Sequence, residues 1–206
     1  MAYIMEEESW GVLTKLKFNQ LLDQFTKRFS KPIRSKRLAI SFWDHNRNEV
    51  DTRIRITDGN AEIMQKIGDI GESKHRMRSE QKVNLPPDSE EIFNTYKILR
   101  VLIPGDNSCY IYQYDNFVFE QPDFEIKLTQ QSGKTDKYNF EVEVYGKKSK
   151  LNMILTNLGL SNMVTTTDAK FWDKWNDELN LKDTDLKDEQ IKWLISTYLT
   201  SEIPPS

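Results

Sequence analysis

Charged side chains recur at every second position in several stretches of the sequence that favour β-strands. Arg53 and Arg55 alternate in one stretch, and Glu141 and Glu143 alternate in another. Because alternate residues of a strand share one face, each pair presents two like charges side by side. Arginines can hold phosphate oxygens through paired hydrogen bonds, and alternate glutamates can hold magnesium or manganese. The two patterns together predict a site for a polyanion and a divalent cation.

Further charged residues alternate in neighbouring stretches. The candidates among them are Lys66, Arg76, Arg78, Glu80 and Lys127. A one-sided antiparallel sheet would show the same alternation, with its charged face in solvent and only weak ion pairs between strands. If the sheet closes into a barrel instead, the charged faces line its interior. Enclosed charges of both signs are costly to desolvate, and a polyanion with a metal ion would satisfy both sets.

The elements that would carry these residues are predicted from periodicity. Apolar residues spaced three and four apart predict a helix over residues 12–30 and further helices around 151–158, 171–179 and 191–199. The segment 89–103 is compatible with either a helix or a strand. Alternation predicts strands at 37–43, 50–57, 61–66, 75–83, 109–119, 123–129 and 138–145. We therefore expect an α+β fold: a closed antiparallel β-barrel, or tunnel, with a charged interior and flanking amphipathic helices.

Length and composition narrow the classes of protein that this chain can represent. The 206 residues predict a single domain over 1–206, with a helical extension from about residue 165. The 29 basic and 32 acidic residues give a net charge of −3, which argues against binding duplex DNA through bulk charge. One cysteine and two histidines exclude a disulfide framework and a Cys/His zinc site. With no signal-peptide pattern and no long apolar window, we expect a cytoplasmic protein without a membrane partner.

Aromatic residues are the remaining candidates for ligand contacts. Tyr110, Tyr112 and Tyr114 share one face of a predicted strand, where they could stack on a base. Three aromatic side chains on one strand face are more simply explained as core beneath a helix. Trp172 and Trp175, three residues apart on a predicted helix, are likewise expected to be packing residues.

The order and spacing of these motifs resemble those of the CYTH, or triphosphate tunnel metalloenzyme, superfamily. That family includes class IV adenylyl cyclases, thiamine and inorganic triphosphatases, and the RNA triphosphatases of fungal and viral capping enzymes. The matching segments, in chain order, are 51–66 (DTRIRITDGNAEIMQK), 78–80 (RSE), 124–129 (FEIKLT), 140–144 (FEVEV) and 151–160. The similarity extends over residues 4–160.

This resemblance implies a divalent-metal-dependent phosphohydrolase that acts on a triphosphate, either a nucleotide, an RNA 5′ end or inorganic tripolyphosphate. The implied phosphate-binding residues are Arg53, Arg55, Lys66, Arg76, Arg78 and Lys127. The implied catalytic residues are Glu80, Glu141 and Glu143. The implied ligands of Mg²⁺ or Mn²⁺ are Glu6, Glu8, Glu141 and Glu143. The metal would polarise the terminal phosphate and help to position a water, so no protein nucleophile is needed.

The sequence departs from the family pattern at two positions and leaves two other functions open. Trp10 stands where the family's first strand carries a lysine or arginine, and Lys127 stands where the capping-type members favour an acidic residue. These departures favour a binding module that holds a triphosphate or nucleotide without turnover. A class IV-type adenylyl cyclase in the same tunnel is the other alternative. The oligomeric state is not predicted.

Overall fold

The computed structural model describes residues 6–43, 50–68, 78–103, 109–145, 150–165 and 169–200. The strands are β1 (Glu6–Leu13), β2 (Ile33–Trp43), β3 (Val50–Thr57), β4 (Asn60–Gly68), β5 (Arg78–Leu85), β6 (Tyr110–Glu120), β7 (Phe124–Ser132), β8 (Lys137–Tyr145) and β9 (Leu181–Lys182). The helices are α1 (Lys15–Phe29), α2 (Ser89–Leu102), α3 (Leu151–Leu158), α4 (Ala169–Leu179) and α5 (Asp188–Thr200).

All nine strands belong to one antiparallel sheet. The eight long strands follow the order β1-β8-β7-β6-β2-β3-β4-β5, and the short β9 pairs with β6. The hydrogen-bonded path among the described residues ends at β1 on one side and at β5 on the other. The predicted α+β class and the antiparallel sheet are therefore confirmed, and one face of the sheet encloses a cavity that is described below.

Helices α1, α2, α3 and α5 cover one face of the sheet, which we call the helix face. Side chains such as Phe25 of α1 and Phe140 of β8 form one core, in which both are fully buried. Ile54 of β3, Ile92 of α2 and Ile195 of α5 belong to a second core, also with almost no exposure. Each such side chain contributes about 1.5–3 kcal/mol when it leaves water. Because the helices take up all these apolar residues, the opposite face is left to the polar ones.

Helix boundaries follow from local capping. Thr14 caps the start of α1, since its side chain accepts a hydrogen bond from the backbone N–H of Lys17 at 3.2 Å. Residues 12 and 13, predicted as helix, belong to β1 instead. Asp88 caps α2 by accepting bonds from the N–H groups of Glu90 and Glu91 at 2.9 Å. A cap of this kind stabilises a helix by about 1 kcal/mol. The ambiguous segment 89–103 is therefore a helix, which ends at Leu102.

The predicted strands are present, and most of them extend further than the alternation indicated. β2 begins at Ile33, four residues before the predicted start at 37. The predicted strand 75–83 corresponds to β5, and its first three residues lie outside the described part of the chain. Within the described residues, no helix has the length and apolar character required to cross a lipid bilayer.

Candidate functional site

The face opposite the helix face, which we call the cavity face, encloses a cavity of about 580 Å³. Each of the eight long strands contributes side chains to its lining, and α4 adds Trp175 and Asn176. The charged residues that line it are Glu8, Arg37, Asp51, Arg53, Arg55, Lys82, Glu120, Glu125, Lys127, Glu141 and Glu143. The alternating charges therefore converge on a shared interior, and the alternative of a one-sided sheet with a fully solvated charged face is wrong.

Carboxylates form one wall of this cavity, the acidic wall. In the strand register, Glu8 of β1 lies opposite Glu143 of β8, and Glu143 lies opposite Glu125 of β7. Glu125 in turn lies opposite Glu120 of β6. Four glutamates thus form one row across four adjacent strands, and Glu141 lies in the next row. Carboxylates one row apart or opposite each other repel unless a cation lies among them.

Arginines form the other wall, the basic wall, on β2 and β3. Arg53 donates to Asp51 at 2.8 and 2.5 Å, and its guanidinium lies 5.3 Å from the ring centre of Tyr112. Burial opposes the charge of Arg53, yet Asp51 and the neighbouring tyrosines raise its pKa above the ordinary value. Arg55 forms an ion pair with Glu62. Both guanidinium groups are therefore held in fixed orientations inside the cavity.

Arg37 differs from these two arginines in its surroundings. Its side chain donates to Thr57 Oγ1 at 3.0 Å, and among the described residues it forms no ion pair with a carboxylate. Burial lowers the pKa of Arg37, and the nearby charges of Arg55 and Arg53 lower it further. The charge of Glu141 acts in the other direction. A positive charge that is partly desolvated and lies near like charges favours an anion beside it, so Arg37 marks a part of the cavity that favours a bound anion.

Lys127 extends from β7 into the acidic wall. Its ammonium nitrogen lies 2.8 Å from Glu141 Oε1 and 3.4 Å from Glu125 Oε1. Burial opposes the charge on Lys127, but Glu141 and then Glu125 outweigh it, so the pKa of the ammonium is raised. Lys127 is therefore a charged lysine that bridges two carboxylates.

Helix α4 packs against the cavity face at β1, β6 and β7. Trp175 makes an edge-to-face contact with Trp10 of β1, with ring centres 5.3 Å apart. The Tyr112 hydroxyl of β6 donates to Asn176 at 3.3 Å, and Gln131 of β7 donates to Asn180 at 2.8 Å. The C-terminal extension thus covers part of the cavity with aromatic and amide side chains.

The structure brings together six of the residues that the sequence analysis singled out. Those that line the cavity are Arg53, Arg55, Lys127, Glu8, Glu141 and Glu143. Glu6, Lys66, Arg78 and Glu80 belong to β1, β4 and β5, and Lys66 lies opposite Glu80 in the register, but their side chains lie outside the described part of the structure. Arg76 lies outside the described residues.

The sequence analysis missed other residues of the cavity. Arg37 was overlooked because it stood at the predicted first position of its strand, where no alternation could be seen; β2 continues to Ile33, and this places Arg37 on the same face as Ser35 and Ala39. Tyr112 is buried beneath α4 as predicted, but it lies on the cavity face together with Tyr114.

The acidic wall has the donor chemistry that a hard divalent cation requires. Glu8 and Glu143 offer carboxylate oxygens from directly opposed positions, and Mg²⁺ and Mn²⁺ prefer oxygen ligands. Among the residues whose side chains are described, no group of three or more acidic, histidine or cysteine side chains is arranged to hold a metal ion. Glu8 and Glu143 are therefore the described residues of this row that could offer directly opposed ligands to such an ion.

Comparison with known proteins supports the fold. No protein-family model and no curated protein matches the sequence. Among solved structures, the Hippeastrum protein HpAC1, a candidate adenylyl cyclase described as having a dominant triphosphatase activity, is similar with a TM-score of 0.59 and 13% identity over 82% of this chain and 96% of that one. A candidate adenylate cyclase of Bacillus halodurans has a TM-score of 0.57 and 15% identity over 84% and 98% of the two chains.

A third solved structure extends the range of proteins with this fold. A chain of the Schizosaccharomyces pombe Mediator head module has a TM-score of 0.50 and 11% identity, over 87% of this chain and 98% of that one. The resemblance drawn from the sequence motifs is confirmed for the fold by the similarity to the two candidate adenylyl cyclases.

Proposed function

We propose that the cavity binds the phosphate chain of a triphosphate and that the protein hydrolyses it with the help of a divalent cation. The observation that carries this proposal is the position of Arg37, a half-buried cation that lines the cavity, lies near Arg53 and Arg55, and forms no ion pair with a carboxylate among the described residues. A ligand with several negative charges removes this repulsion when it binds. A neutral or cationic ligand would not.

The basic wall would bind the phosphate chain and stabilise the charge that develops on the transferred phosphoryl group. Arg53 and Arg55 are held by Asp51 and Glu62, so little conformational entropy is lost when they bind the substrate. Phosphoryl transfer depends chiefly on positioning and charge stabilisation, and fixed guanidinium groups supply both. Lys66, Arg76 and Arg78 remain predictions as additional phosphate ligands.

The acidic wall would hold the metal through Glu8 and Glu143, with Glu6 as a predicted third ligand. A bound Mg²⁺ or Mn²⁺ polarises a phosphoryl oxygen and helps to orient a water. Glu141, one row away, would orient the same water, and Glu80 stays a prediction for this role. Both walls line the same cavity, an arrangement that suits a substrate whose phosphate chain contacts arginines and whose metal lies among carboxylates.

The size of the cavity is compatible with each of the three substrate classes. A volume of about 580 Å³ lies within the range of small-molecule sites. Nucleotides and inorganic tripolyphosphate could be enclosed, and an RNA 5′ end could enter by its triphosphate. The shared chemistry of all three is the phosphate chain, which is the part that the two walls would recognise.

Phosphate release from purified protein tests this proposal. ATP, an RNA 5′-triphosphate and inorganic tripolyphosphate are each incubated with Mg²⁺ or Mn²⁺, and the products are separated by chromatography so that a cyclic nucleotide would also be detected. We expect release by the wild type and its loss in Glu143→Gln, whereas Glu189→Gln, the same change on the exposed start of α5, keeps the activity. Absence of release from all three substrates, or equal release by the Glu143 variant, would refute hydrolysis.

A second function, binding without turnover, is favoured by the position of Trp10. Its ring packs against Trp175 and Phe171 and adds no charge to the row that contains Glu141. The fold also occurs in a chain of the Mediator head module, and a fold by itself does not imply catalysis. Calorimetric binding of tripolyphosphate with no phosphate release in any metal would identify this function.

A further inference from the structure

Lys127 occupies a position that is unusual for a lysine in a phosphate site, since it lies in the acidic wall and not in the basic one. It lies opposite Glu141 across the β7–β8 pair, and Glu125 precedes it by two residues on the same face. Its side chain is 20% exposed, compared with 16% for Glu125 and 26% for Glu141. The three groups therefore form a largely enclosed cluster with two negative charges and one positive charge.

An ammonium ion and a divalent cation compete for the same oxygens in this cluster. The Lys127 nitrogen lies 2.8 Å from Glu141 Oε1, a charge-assisted hydrogen bond of ordinary length. Mg²⁺ binds carboxylate oxygens at about 2.0–2.1 Å. A metal ion on Glu141 and Glu125 would thus lie against the ammonium group, and the two cations would repel each other strongly in a site with little solvent.

We infer that Lys127 is a tethered cation that takes the place of a divalent metal between Glu125 and Glu141, so that this part of the cavity accepts phosphate without a metal. The inference rests on the proposed binding of a triphosphate, and it concerns the source of the positive charge in the acidic wall. It applies equally whether the bound triphosphate is hydrolysed or only held.

Lys127 contacts both carboxylates of the cluster, Glu125 and Glu141. Arg37 also acts on Glu141 through its charge, but it forms no ion pair with a carboxylate among the described residues. The strand neighbours in the row are uncharged, since Trp10 of β1 lies opposite Glu141 and Val118 of β6 lies opposite Lys127. Lys127 therefore supplies a positive charge in direct contact with this part of the acidic wall.

Calorimetric titration with inorganic tripolyphosphate tests the inference. The wild type is titrated once with excess EDTA and once with excess Mg²⁺, and the same pair of titrations is run on Lys127→Met. We expect the wild type to bind in EDTA, with Mg²⁺ changing its Kd by less than about threefold. In Lys127→Met, the affinity in EDTA falls by about tenfold or more, the loss expected for a charged hydrogen-bonding group, and Mg²⁺ restores most of it.

Matched variants separate this effect from general loss of charge or of folding. Lys97→Met removes a lysine from α2 that is paired with Asp188 and does not line the cavity, and its affinity should equal that of the wild type. If Lys127→Met fails to fold by circular dichroism, Lys127→Gln gives the same readout, because its amide can still donate to Glu141.

The possible results of these titrations either support the inference or overturn it. Wild-type binding that requires Mg²⁺ would overturn it and leave the proposed triphosphate site intact. Unchanged affinity of the Lys127 variant in EDTA, or a loss that Mg²⁺ does not restore, would overturn it as well. A wild type that binds tripolyphosphate under neither condition would instead remove the proposed function on which the inference rests.

Discussion

The substitution Arg37→Gln should separate binding from stability. Arg37 is a desolvated cation on the cavity face whose pKa is lowered by burial and by the charges of Arg55 and Arg53. Its role in the fold is small, because its side chain is joined to Thr57 by a single hydrogen bond of 3.0 Å. Glutamine removes the charge and keeps a donor near Thr57. The charge therefore matters more for the ligand than for the folded chain.

The expected magnitudes follow from these contacts. Loss of a neutral hydrogen bond costs about 0.5–1.5 kcal/mol, whereas removal of a desolvated and repelled charge returns a similar amount. The free energy of unfolding should thus stay within about 1 kcal/mol of the wild type. A hydrogen bond between charged groups contributes about 1.5–3 kcal/mol, so the affinity for tripolyphosphate should fall about 10- to 100-fold.

Urea denaturation and calorimetry measure the two quantities on the same protein. Arg34→Gln is the matched control, since Arg34 lies on the same strand but points away from the cavity, is 46% exposed and pairs with Asp115. An exposed pair contributes little to stability, about 0–1 kcal/mol, and its loss should leave the affinity unchanged. A variant at Arg37 that loses more than about 2 kcal/mol of stability yet binds as before would refute the reasoning.

Two further substitutions and one labelling experiment test other parts of the fold. Gly133→Ala should lower the stability to urea by about 1–3 kcal/mol, because the added Cβ would lie 2.1 Å from the carbonyl oxygen of Leu179 at the end of α4; an unchanged midpoint would contradict this contact. Asp183→Asn should cost about 3 kcal/mol, since it leaves Arg100, 2.6 Å away, without its carboxylate partner, and a loss below about 1 kcal/mol would show that the pair is dispensable. Burial first, and then the charge of Asp183, raise the pKa of the Cys109 thiol to about 12, so a thiolate-specific reagent at pH 8 should label the protein only after unfolding. The same shift makes the folded chain lose stability as the pH rises from the ordinary thiol value of 9.0 towards 12. Rapid labelling of the folded protein at pH 8 would contradict the raised pKa.

Strand periodicity made most of the sheet predictable from the sequence. The alternation of Arg53 and Arg55 with Ile54 and Ile56 gives β3 and its two faces directly, because each face meets a different environment. α2 was ambiguous because its apolar residues fit either period. Asp88 is the residue that could have identified the helix, because aspartate commonly caps helices and Asp88 stands just before the segment.

Tertiary contacts account for what the sequence did not reveal. No local pattern places Trp175 and Asn176 of α4 beside Trp10 of β1, since these residues are far apart in the chain and meet only through packing. The bridging role of Lys127 depends on its register with Glu141, and a shift of one residue would turn it to the helix face. Six of the eleven charged residues that line the cavity were thus identified from sequence, but their pairing was not.

The acidic row lies on β1, β8, β7 and β6, whereas the arginines of the cavity lie on β2 and β3, so charges of opposite sign are distributed unevenly around the lining. Charges inside an enclosed cavity are screened less than charges in bulk water. A ligand is consequently selected by how its charge is distributed as well as by how much charge it carries. An elongated anion with a cation bound along one side should therefore enter in one preferred orientation.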